Sequence, residues 1–336
     1  MQLLRSCVLG LAAALAAPAA ADPPSPTGGA EAPANAAGAA ARPAADAKKV
    51  YDESADAKAQ IESAIARARA EHRRVLVQWG GNWCPWCIRL HALCSSDREI
   101  AKTLQYEYDV VMVDTGHPTG KNVDLARSFG AEVESKGFPY LTILDENGKP
   151  VANQETESLE VKNEKGESAG VSAGHDPAKV LAFLRKHQAP PLAAADVMDG
   201  ALRDAKASNR RVLLHFGAPW CPWCHRLDDW LRGAEVRGLV AKDFIDVKID
   251  VDRMTGGKEL LAKYNAKAGT SGIPWFAILD ADGTAIATST MPGGANTGFP
   301  AKPEEIEHFA SMVRGAARAL SPDEQAKLVE SLRTGK

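Results

Sequence analysis

The sequence has few aromatic residues, only six cysteines and no hydrophobic run long enough to span a membrane. Phe, Trp and Tyr together make up 6% of the 336 residues, and the formal net charge is −3. So small a charge gives no sign of nucleic acid or of an anionic membrane surface as a partner. A membrane-spanning helix needs about 20 consecutive apolar residues, so we expect no integral membrane segment in the mature chain. The composition, 25% charged and 45% hydrophobic, is that of globular proteins.

The first 47 residues contain little that would build a folded core. Residues 1–21 have the features of a secretory signal peptide, with Arg5 before an apolar stretch and Ala19-Ala20-Ala21 as the cleavage site. Residues 22–47 are mostly Ala, Pro and Gly, and we expect a disordered linker there. The sequence therefore predicts export to the bacterial periplasm, an oxidising compartment that permits disulfides.

Four of the six cysteines lie in one pentapeptide that occurs twice, as Trp-Cys-Pro-Trp-Cys at 83–87 and at 220–224. Each copy follows a short apolar run and a glycine, which are typical of a strand end, and precedes a stretch with helical spacing. The first N–H groups and the dipole of a helix stabilise a thiolate, so the first cysteine of each copy is the predicted nucleophile. The second, three residues on, is placed to resolve a mixed disulfide. We therefore predict two redox-active dithiols, Cys84 with Cys87 and Cys221 with Cys224.

The pentapeptide is part of a longer repeat. Pro139 follows the first cysteine of its copy by 55 positions, and Pro274 follows its own by 53. Both halves have the order helix, strand, motif helix, strand, helix, paired strands and helix, which predicts an α/β fold with a central mixed sheet. We expect two tandem domains, 48–189 and 190–336. We also expect the first motif helix to continue to about Leu104, and a helix ending at Ala319 to close the second domain.

With these features in place, each half resembles a thioredoxin-fold domain. The resemblance covers about 48–188 and 196–320 and is carried by the Trp-Cys-x-x-Cys motifs, the strand ends at Asp114 and Asp250, and the tripeptides Gly-Phe-Pro and Gly-Ile-Pro. It implies that the proline of each tripeptide is cis and lies against the cysteines, where it shapes a groove for an extended substrate. The residues expected to bind substrate are Trp83, Trp86, Phe138, Pro139, Trp220, Trp223, Ile273 and Pro274.

Both halves depart from the family pattern six residues before the first cysteine. Many thioredoxins carry a buried acid there as the proton acceptor for the buried cysteine, whereas this chain has Gln78 and His215. A glutamine side chain cannot accept a proton, but an imidazole titrates near neutral pH. His215 is therefore a candidate proton shuttle. The second cysteine is followed by Ile88 in one copy and His225 in the other, so we expect the two sites to differ in redox potential.

These features predict a thiol–disulfide oxidoreductase of the cell envelope that forms mixed disulfides with substrate proteins and exchanges electrons with a redox partner not identified by the sequence. The direction of electron flow is open. The dithiols themselves carry the electrons, so we expect no organic cofactor and no metal.

Several other interpretations remain open. The stretch from Cys221 to His225 matches the attachment pattern of c-type haem, and each cysteine pair is half of a four-cysteine zinc site. Alternatively, one or both domains are binding or chaperone modules, and the dithiols are secondary to that binding function. Cys94, the odd thiol left after export, is either a small buried apolar residue or a regulatory thiol.

Overall fold

The computed structural model describes residues 49–117, 119–265 and 272–334. The predicted signal peptide, residues 1–21, and the predicted linker, residues 22–47, lie outside the described residues. Residues from Lys48 onward cluster as one compact unit. Within the described part of the chain, no helix is long and apolar enough to cross a membrane.

The first half contains one four-stranded sheet, in the order β2-β1-β3-β4, with β1 parallel to β2 and antiparallel to β3, and β3 antiparallel to β4. A single 3-10 turn, Glu157–Leu159, follows β4. The elements are α1 (Ala57–Glu71), β1 (Arg74–Gly80), α2 (Pro85–Ser96), α3 (Arg98–Glu107), β2 (Tyr108–Asp114), α4 (Val123–Ser128), α5 (Val133–Lys136), β3 (Tyr140–Leu144), β4 (Pro150–Glu155) and α6 (Pro177–His187).

The second half repeats this arrangement, with the strand order β6-β5-β7-β8 and the same parallel and antiparallel pairings. The expected α/β fold of two thioredoxin-like domains with mixed central sheets is therefore confirmed. The elements are α7 (Ala194–Ser208), β5 (Arg211–Gly217), α8 (Pro222–Arg232), α9 (Ala234–Asp243), β6 (Phe244–Asp250), α10 (Gly257–Tyr264), β7 (Trp275–Leu279), β8 (Ala285–Thr288), α11 (Pro303–Ala316) and α12 (Pro322–Thr334).

The central strand of each sheet is covered on both faces. In β1, Val75 and Val77 pack with α1 on one face, whereas Leu76 packs with α2, α3 and α6 on the other. The alternation follows from strand geometry, because successive side chains point to opposite faces. A strand buried on both sides has an almost uninterrupted apolar sequence, which explains why β1 and its counterpart β5 stand out in the sequence. A cysteine pair follows the carboxyl end of each of these two strands.

Two expectations about helix limits are wrong. The first motif helix does not continue to Leu104, because Asp97 ends α2 and its carboxylate accepts the N–H groups of Glu99 and Ile100 at 3.0 and 2.9 Å, which begins α3. An N-cap of this kind satisfies donors that a helix start leaves free. The second half does not close near Ala319 either, since α12 follows and buries Leu328 and Leu332 in its core.

The halves are joined through Arg253, which follows β6. Its guanidinium donates to the carbonyl oxygens of Glu71 at 2.8 Å and His72 at 2.9 Å, and to the carboxylate of Glu107 at 3.1 Å. Nearby, the amide of Gln105 donates to the carbonyl oxygen of Pro219 at 3.4 Å. The first half thus contacts the loop that leads into the second cysteine pair.

Candidate active site

Each cysteine pair lies where a central strand ends and a helix begins. Cys84 and Cys221 are the N-cap residues of α2 and α8, and their sulfur atoms accept the N–H of Cys87 and Cys224, in both cases at 3.2 Å. A proline follows each N-cap, at a position where a missing N–H costs nothing. Both pairs are closed as disulfides, with Cα atoms 5.2 Å apart.

The second cysteine of each pair is at least as deeply buried as the first. The exposed fractions are 4% for Cys84 and 0% for Cys87, and 3% for Cys221 and 2% for Cys224. On reduction, the first sulfur therefore lies at the helix start, where the dipole and the N–H group stabilise a thiolate. The second sulfur is away from solvent and needs a nearby group to take its proton. What surrounds the buried sulfur is consequently what distinguishes the two sites.

The peptide bonds Phe138–Pro139 and Ile273–Pro274 are both cis, as the family resemblance implies. In the second half, the Sγ atom of Cys221 lies 3.7 Å from the carbonyl oxygen of Ile273, so this tripeptide borders the disulfide. In the first half, the hydroxyl of Thr156, the residue after β4, donates to the carbonyl oxygen of Pro139 at 2.7 Å. This hydrogen bond holds the loop that carries the cis-proline.

The tryptophans of the first motif have different surroundings. Trp83 is partly exposed and contacts the ring of Phe138 edge-on, with ring centroids 5.5 Å apart. The ring of His117 is tilted relative to that of Trp83, and their centroids are 4.9 Å apart. Trp86 contacts the ring of His175 at 5.3 Å, also edge-on. The loop that carries His175 contacts α2 again through Arg89, which donates to the carbonyl oxygen of Ser172 at 2.9 Å.

The tryptophans of the second motif are more exposed, at 51% for Trp220 and 53% for Trp223. The indole N–H of Trp220 donates to Asp252 at 2.7 Å. Trp223 stacks on Phe299 with centroids 6.5 Å apart, and the guanidinium of Arg226 lies 4.5 Å from the centre of the Phe299 ring. A groove of about 320 Å³ adjoins this stack, and its lining includes Trp223, Ile273, Pro274, Thr297 and Phe299. The structure thus brings three of the four expected groove residues of this half to one cleft.

Two neutral residues, Gln78 and Tyr51, lie beside the second cysteine of the first site. Gln78 is buried, and its amide donates to the hydroxyl of Tyr51 at 2.6 Å and to the carbonyl oxygen of Cys87 at 3.3 Å. Tyr51 is fully buried in one cluster with both cysteines. Burial raises the pKa of Tyr51 well above the usual range, so its phenol stays neutral. The first site therefore has a hydrogen-bonded neutral pair beside Cys87. Its buried carboxylate, Asp114, lies at the end of β2 near Gly81, and one carboxylate oxygen has no hydrogen-bond partner among the described residues.

Charged groups lie on the strand and on the helix that hold the second cysteine pair. His215, the candidate proton shuttle, lies between two carboxylates, with its Nε2 atom 3.1 Å from Asp246 and its Nδ1 atom 3.6 Å from Asp228. Asp228 is itself 4% exposed and forms a short ion pair with the ammonium group of Lys248. Two sites with the same pentapeptide therefore have chemically different interiors.

The structure also bears on the haem and zinc interpretations. A ring nitrogen of His225 lies 2.8 Å from the carbonyl oxygen of Pro219, so this side chain is held within its own loop. The cysteines that haem or zinc would need are each paired within their own motif. Glu71, His225 and Asp228 have ligand atoms within 4.8 Å of one another, but Arg73 and Arg232 pair with Glu71, and Lys248 pairs with Asp228. These cations compensate the carboxylates, and we assign no metal to the cluster.

Cys94 is a free cysteine that packs against the core of the first half together with Leu93 and Leu104. Burial raises the pKa of the Cys94 thiol to about 12. Since the thiolate is the reactive form, a thiol with so high a pKa is a poor nucleophile. The structure favours the interpretation of Cys94 as a packing residue.

Several residues of the sites were not found from the sequence. Asp228 follows Cys224 by four positions, a helical spacing that places it one turn along the same face, so its position offered a signal. Lys248 offered none, because only the pairing of β5 with β6 places it beside His215. Tyr51 lies before α1 and outside the repeated pattern, and His175 lies in a polar loop.

Comparison with known proteins agrees with this architecture. Residues 61–156 match the family model described as "Thioredoxin-like domain", and residues 178–333 match one described as "Protein of unknown function, DUF255", which carries the name of DsbH-type thioredoxins. The cysteine pairs lie one in each matched segment. The two halves of the chain thus each match a family model of the thioredoxin type.

Individual relatives are more distant. Protein disulfide-isomerase erp38 of Neurospora crassa is 26% identical over 194 residues, which cover 57% of this chain and 47% of the fungal protein. The chain thus spans about half the length of this curated relative. Among solved structures, the disulphide isomerase of Xylella fastidiosa Temecula1 is 23% identical, with 41% of this chain and 95% of that one covered and a TM-score of 0.34. A DsbH oxidoreductase is 20% identical, with 37% and 85% covered and a TM-score of 0.26.

Proposed function

We propose that the protein is a thiol–disulfide oxidoreductase that acts on protein thiols and disulfides through both of its CPWC sites. The observation that carries the proposal is the position of each pair: the first sulfur caps a helix and accepts the N–H of the second cysteine. The name of the fungal relative, a protein disulfide-isomerase, supports the same activity.

In the proposed reaction, the thiolate of Cys84 or Cys221 attacks a substrate disulfide and forms a mixed disulfide, while one substrate thiolate leaves. Cys87 or Cys224 then loses its proton and attacks the sulfur of its partner cysteine. The mixed disulfide breaks, the second substrate thiolate leaves, and the disulfide within the motif forms. Two electrons pass from the protein to the substrate, and the same steps in reverse oxidise a substrate dithiol. The dithiols carry these electrons, and the proposal requires no organic cofactor.

A trapping experiment tests the activity. Cys87→Ser and Cys224→Ser keep the nucleophile and remove the resolving thiol, so we expect each variant to form a stable mixed disulfide with insulin. Cys84→Ser and Cys221→Ser are the matched controls and form none at their own site. The absence of a mixed disulfide from both trapping variants would contradict the proposal.

The same controls separate the enzyme from a binding module. The groove beside Trp223 and Pro274 suits an extended peptide, which is the observation that favours binding as a second function. A protein that only holds unfolded chains would suppress their aggregation equally well after Cys84→Ser and Cys221→Ser are combined. We expect this double variant to lose turnover of protein disulfides.

Direction and compartment are part of the same proposal. We place the protein in the bacterial periplasm, on the strength of its N-terminal sequence, with a dedicated redox partner. The reduction potential of each site, measured with the other site inactivated, indicates the direction. A value near −270 mV, about that of thioredoxin, means a reductant that needs an electron supply. A value near −120 mV, about that of strong periplasmic oxidants, means a disulfide donor.

A further inference from the structure

The second site contains a buried carboxylate at a place where the first site has none. Asp228 lies on α8 four residues after Cys224, and residues at this spacing are neighbours on a helix surface. Helical side chains lean toward the N-terminus, so Asp228 extends toward the turn that carries Cys224. Both side chains are buried, at 4% and 2% exposure.

The partner of Asp228 lies beside the same sulfur. Lys248 forms its short ion pair with the Asp228 carboxylate. The position that a Cβ atom on Gly217 would occupy is 3.5 Å from Sγ of Cys224 and 3.8 Å from Cε of Lys248. Lys248 and the buried sulfur are therefore both close to the last residue of β5, and the ion pair links Asp228 to the same region. A carboxylate placed near a buried thiol is a candidate acceptor for the thiol proton.

From this geometry we propose that Asp228, held by Lys248, accepts the proton of Cys224 when that thiol resolves the mixed disulfide on Cys221. The inference rests on the oxidoreductase function proposed above. The Cys224 proton passes to the Asp228 carboxylate, the new thiolate attacks Sγ of Cys221, and the bond to the substrate sulfur breaks. The substrate leaves as a thiolate, and the motif disulfide forms. In the reverse direction, the Asp228 carboxyl returns the proton to the Cys224 thiolate as it leaves.

His215 then acts as a positioning residue. Its Nε2 atom already contacts Asp246 on β6, and its Nδ1 atom is 3.6 Å from Asp228. Other charged groups also face this carboxylate: Lys248 comes from β6, Glu71 from α1 of the first half, and His225 and Arg232 from α8 itself. Asp228 thus lies in a network in which cations compensate the carboxylates.

The equivalent positions of the first half explain the contrast. Four residues after Cys87 stands His91, and the strand residue paired with Gln78 is Met112, where the second half has Lys248 paired with His215. None of these is a carboxylate. The first site has the neutral Tyr51 and Gln78 beside its buried sulfur. Its buried carboxylate, Asp114, comes from the end of β2 and not from the motif helix, so we expect the resolving step of Cys87 to differ from that of Cys224 in its dependence on pH.

The test uses the full chain with the first site removed by Cys84→Ala and Cys87→Ala. The reduced protein is mixed with oxidised glutathione from pH 5 to pH 9, quenched with acid and analysed by mass spectrometry. We expect the glutathione adduct on Cys221 to be resolved quickly across this range. With Asp228→Asn added, resolution at pH 6 slows by about 100-fold, and the adduct accumulates. The difference disappears as the pH approaches about 8.5, where a free thiol ionises unaided.

Several controls keep the proposal falsifiable. Asp229→Asn removes the same charge from the exposed neighbouring residue and leaves the pH profile unchanged. Asp228→Glu restores resolution at pH 6. His215→Gln, which copies the first half, slows resolution less than Asp228→Asn does. Any of three results overturns the assignment of Asp228. Asp228→Asn leaves the pH profile of resolution unchanged, Asp229→Asn slows resolution as much as Asp228→Asn does, or His215→Gln slows it more.

Two further measurements cover the remaining outcomes. If Asp228→Asn does not fold, Lys248→Met takes its place: without the cation, the carboxylate gains a proton at higher pH, so the acid limb of the profile shifts upward. An unshifted limb overturns the proposal. The first site is measured alone in a protein with Cys221→Ala and Cys224→Ala, and we expect its glutathione adduct to accumulate at pH 6 with no other substitution. If the first site resolves its adduct at pH 6 as fast as the second site does, the proposal is also overturned. If the protein without these substitutions forms neither adduct nor disulfide, the oxidoreductase function itself fails.

Discussion

Arg232 of α8 lies 3.3 Å from the carboxylate of Glu71, at the end of α1, and this ion pair ties the helix of the second dithiol to the first half. The contact belongs to an interface that also contains Arg253 and the loop before Cys221. Since Glu71 is among the groups that face Asp228, the first half contributes to the charge around the second site. The two halves are therefore structurally coupled, although each has its own sheet and its own core.

Arg253→Ala tests this coupling. The guanidinium is mostly buried and satisfies two carbonyl oxygens and the carboxylate of Glu107, all of which lose their donor in the variant. We expect the free energy of unfolding to fall by about 3 kcal/mol, the cost of breaking a buried ion pair from one side. Hydrogen exchange followed by mass spectrometry should show faster exchange at the end of α1. Arg237→Ala, on the exposed face of α9, is the control and should change stability by less than about 0.5 kcal/mol. An effect of Arg253→Ala no larger than this control would contradict a tight interface.

Gly80→Ala and Gly217→Ala form a matched pair at the ends of the two central strands. A Cβ atom on Gly80 would lie 2.5 Å from Sγ of Cys87 and 2.8 Å from the hydroxyl of Tyr51. On Gly217 its nearest neighbour would be 3.1 Å away, the Cβ atom of Cys224. We expect Gly80→Ala to destabilise the first half by about 1–3 kcal/mol, which is the usual cost of overpacking, and Gly217→Ala to destabilise the second half less. Hydrogen exchange in β1 and β5 measures the two effects separately, and equal losses would show that Tyr51 does not crowd the first site.

Much of the fold was predictable because its signals are local and occur twice. Each central strand is a short apolar run, each motif ends that run with a glycine and starts a helix, and each half repeats the order. The break between α2 and α3 was not predictable in this way, because apolar spacing continues on both sides of Asp97 and only its capping bonds end the helix. The helix α12 lies beyond the repeat, since the first half has no equivalent of it.

The candidate sites show the same division. The cysteines and the prolines are sequence motifs with fixed spacing, so they were found directly. The groups around the buried sulfurs come together only through tertiary structure: Lys248 through the parallel pairing of β5 and β6, and Tyr51 through packing of the segment before α1. A lysine and a tyrosine at such positions look like ordinary residues until the sheet places them beside a cysteine.

Cys94 gives a prediction about thiol reactivity. In the protein with both motif disulfides closed, the raised pKa of about 12 leaves almost no Cys94 thiolate at pH 8. An unfolded cysteine has a pKa of about 8.5, so we expect iodoacetamide to alkylate Cys94 at least about 100-fold more slowly in the folded protein than in urea. Peptide mass spectrometry measures this rate at Cys94 alone. Rapid alkylation of the folded protein would support the regulatory thiol that the sequence left open.

His175 provides the last prediction, which concerns pH. Its side chain is 3% exposed and contacts Trp86, and neither ring nitrogen has a hydrogen-bond partner among the described residues. Burial lowers the pKa of His175 to about 4, whereas an unfolded histidine has a pKa near 6.5. Between these values the unfolded chain binds the extra proton, so this histidine's contribution to stability is complete above about pH 6.5 and is lost as the pH falls toward 4.

His175→Phe keeps an aromatic ring against Trp86 and removes both the titration and the unpaired polar atoms. We expect the variant to be more stable by about 1 kcal/mol at pH 7, because a buried polar group without a partner is costly. Its advantage should grow as the pH falls from 6.5 to 4, since only the histidine protein has a proton to gain on unfolding at this position. Thermal unfolding of both proteins across this range measures the difference. His187→Phe, at the end of α6, is a control whose ring is less buried. A constant difference between the proteins at all pH values would mean that His175 is not buried as a neutral imidazole.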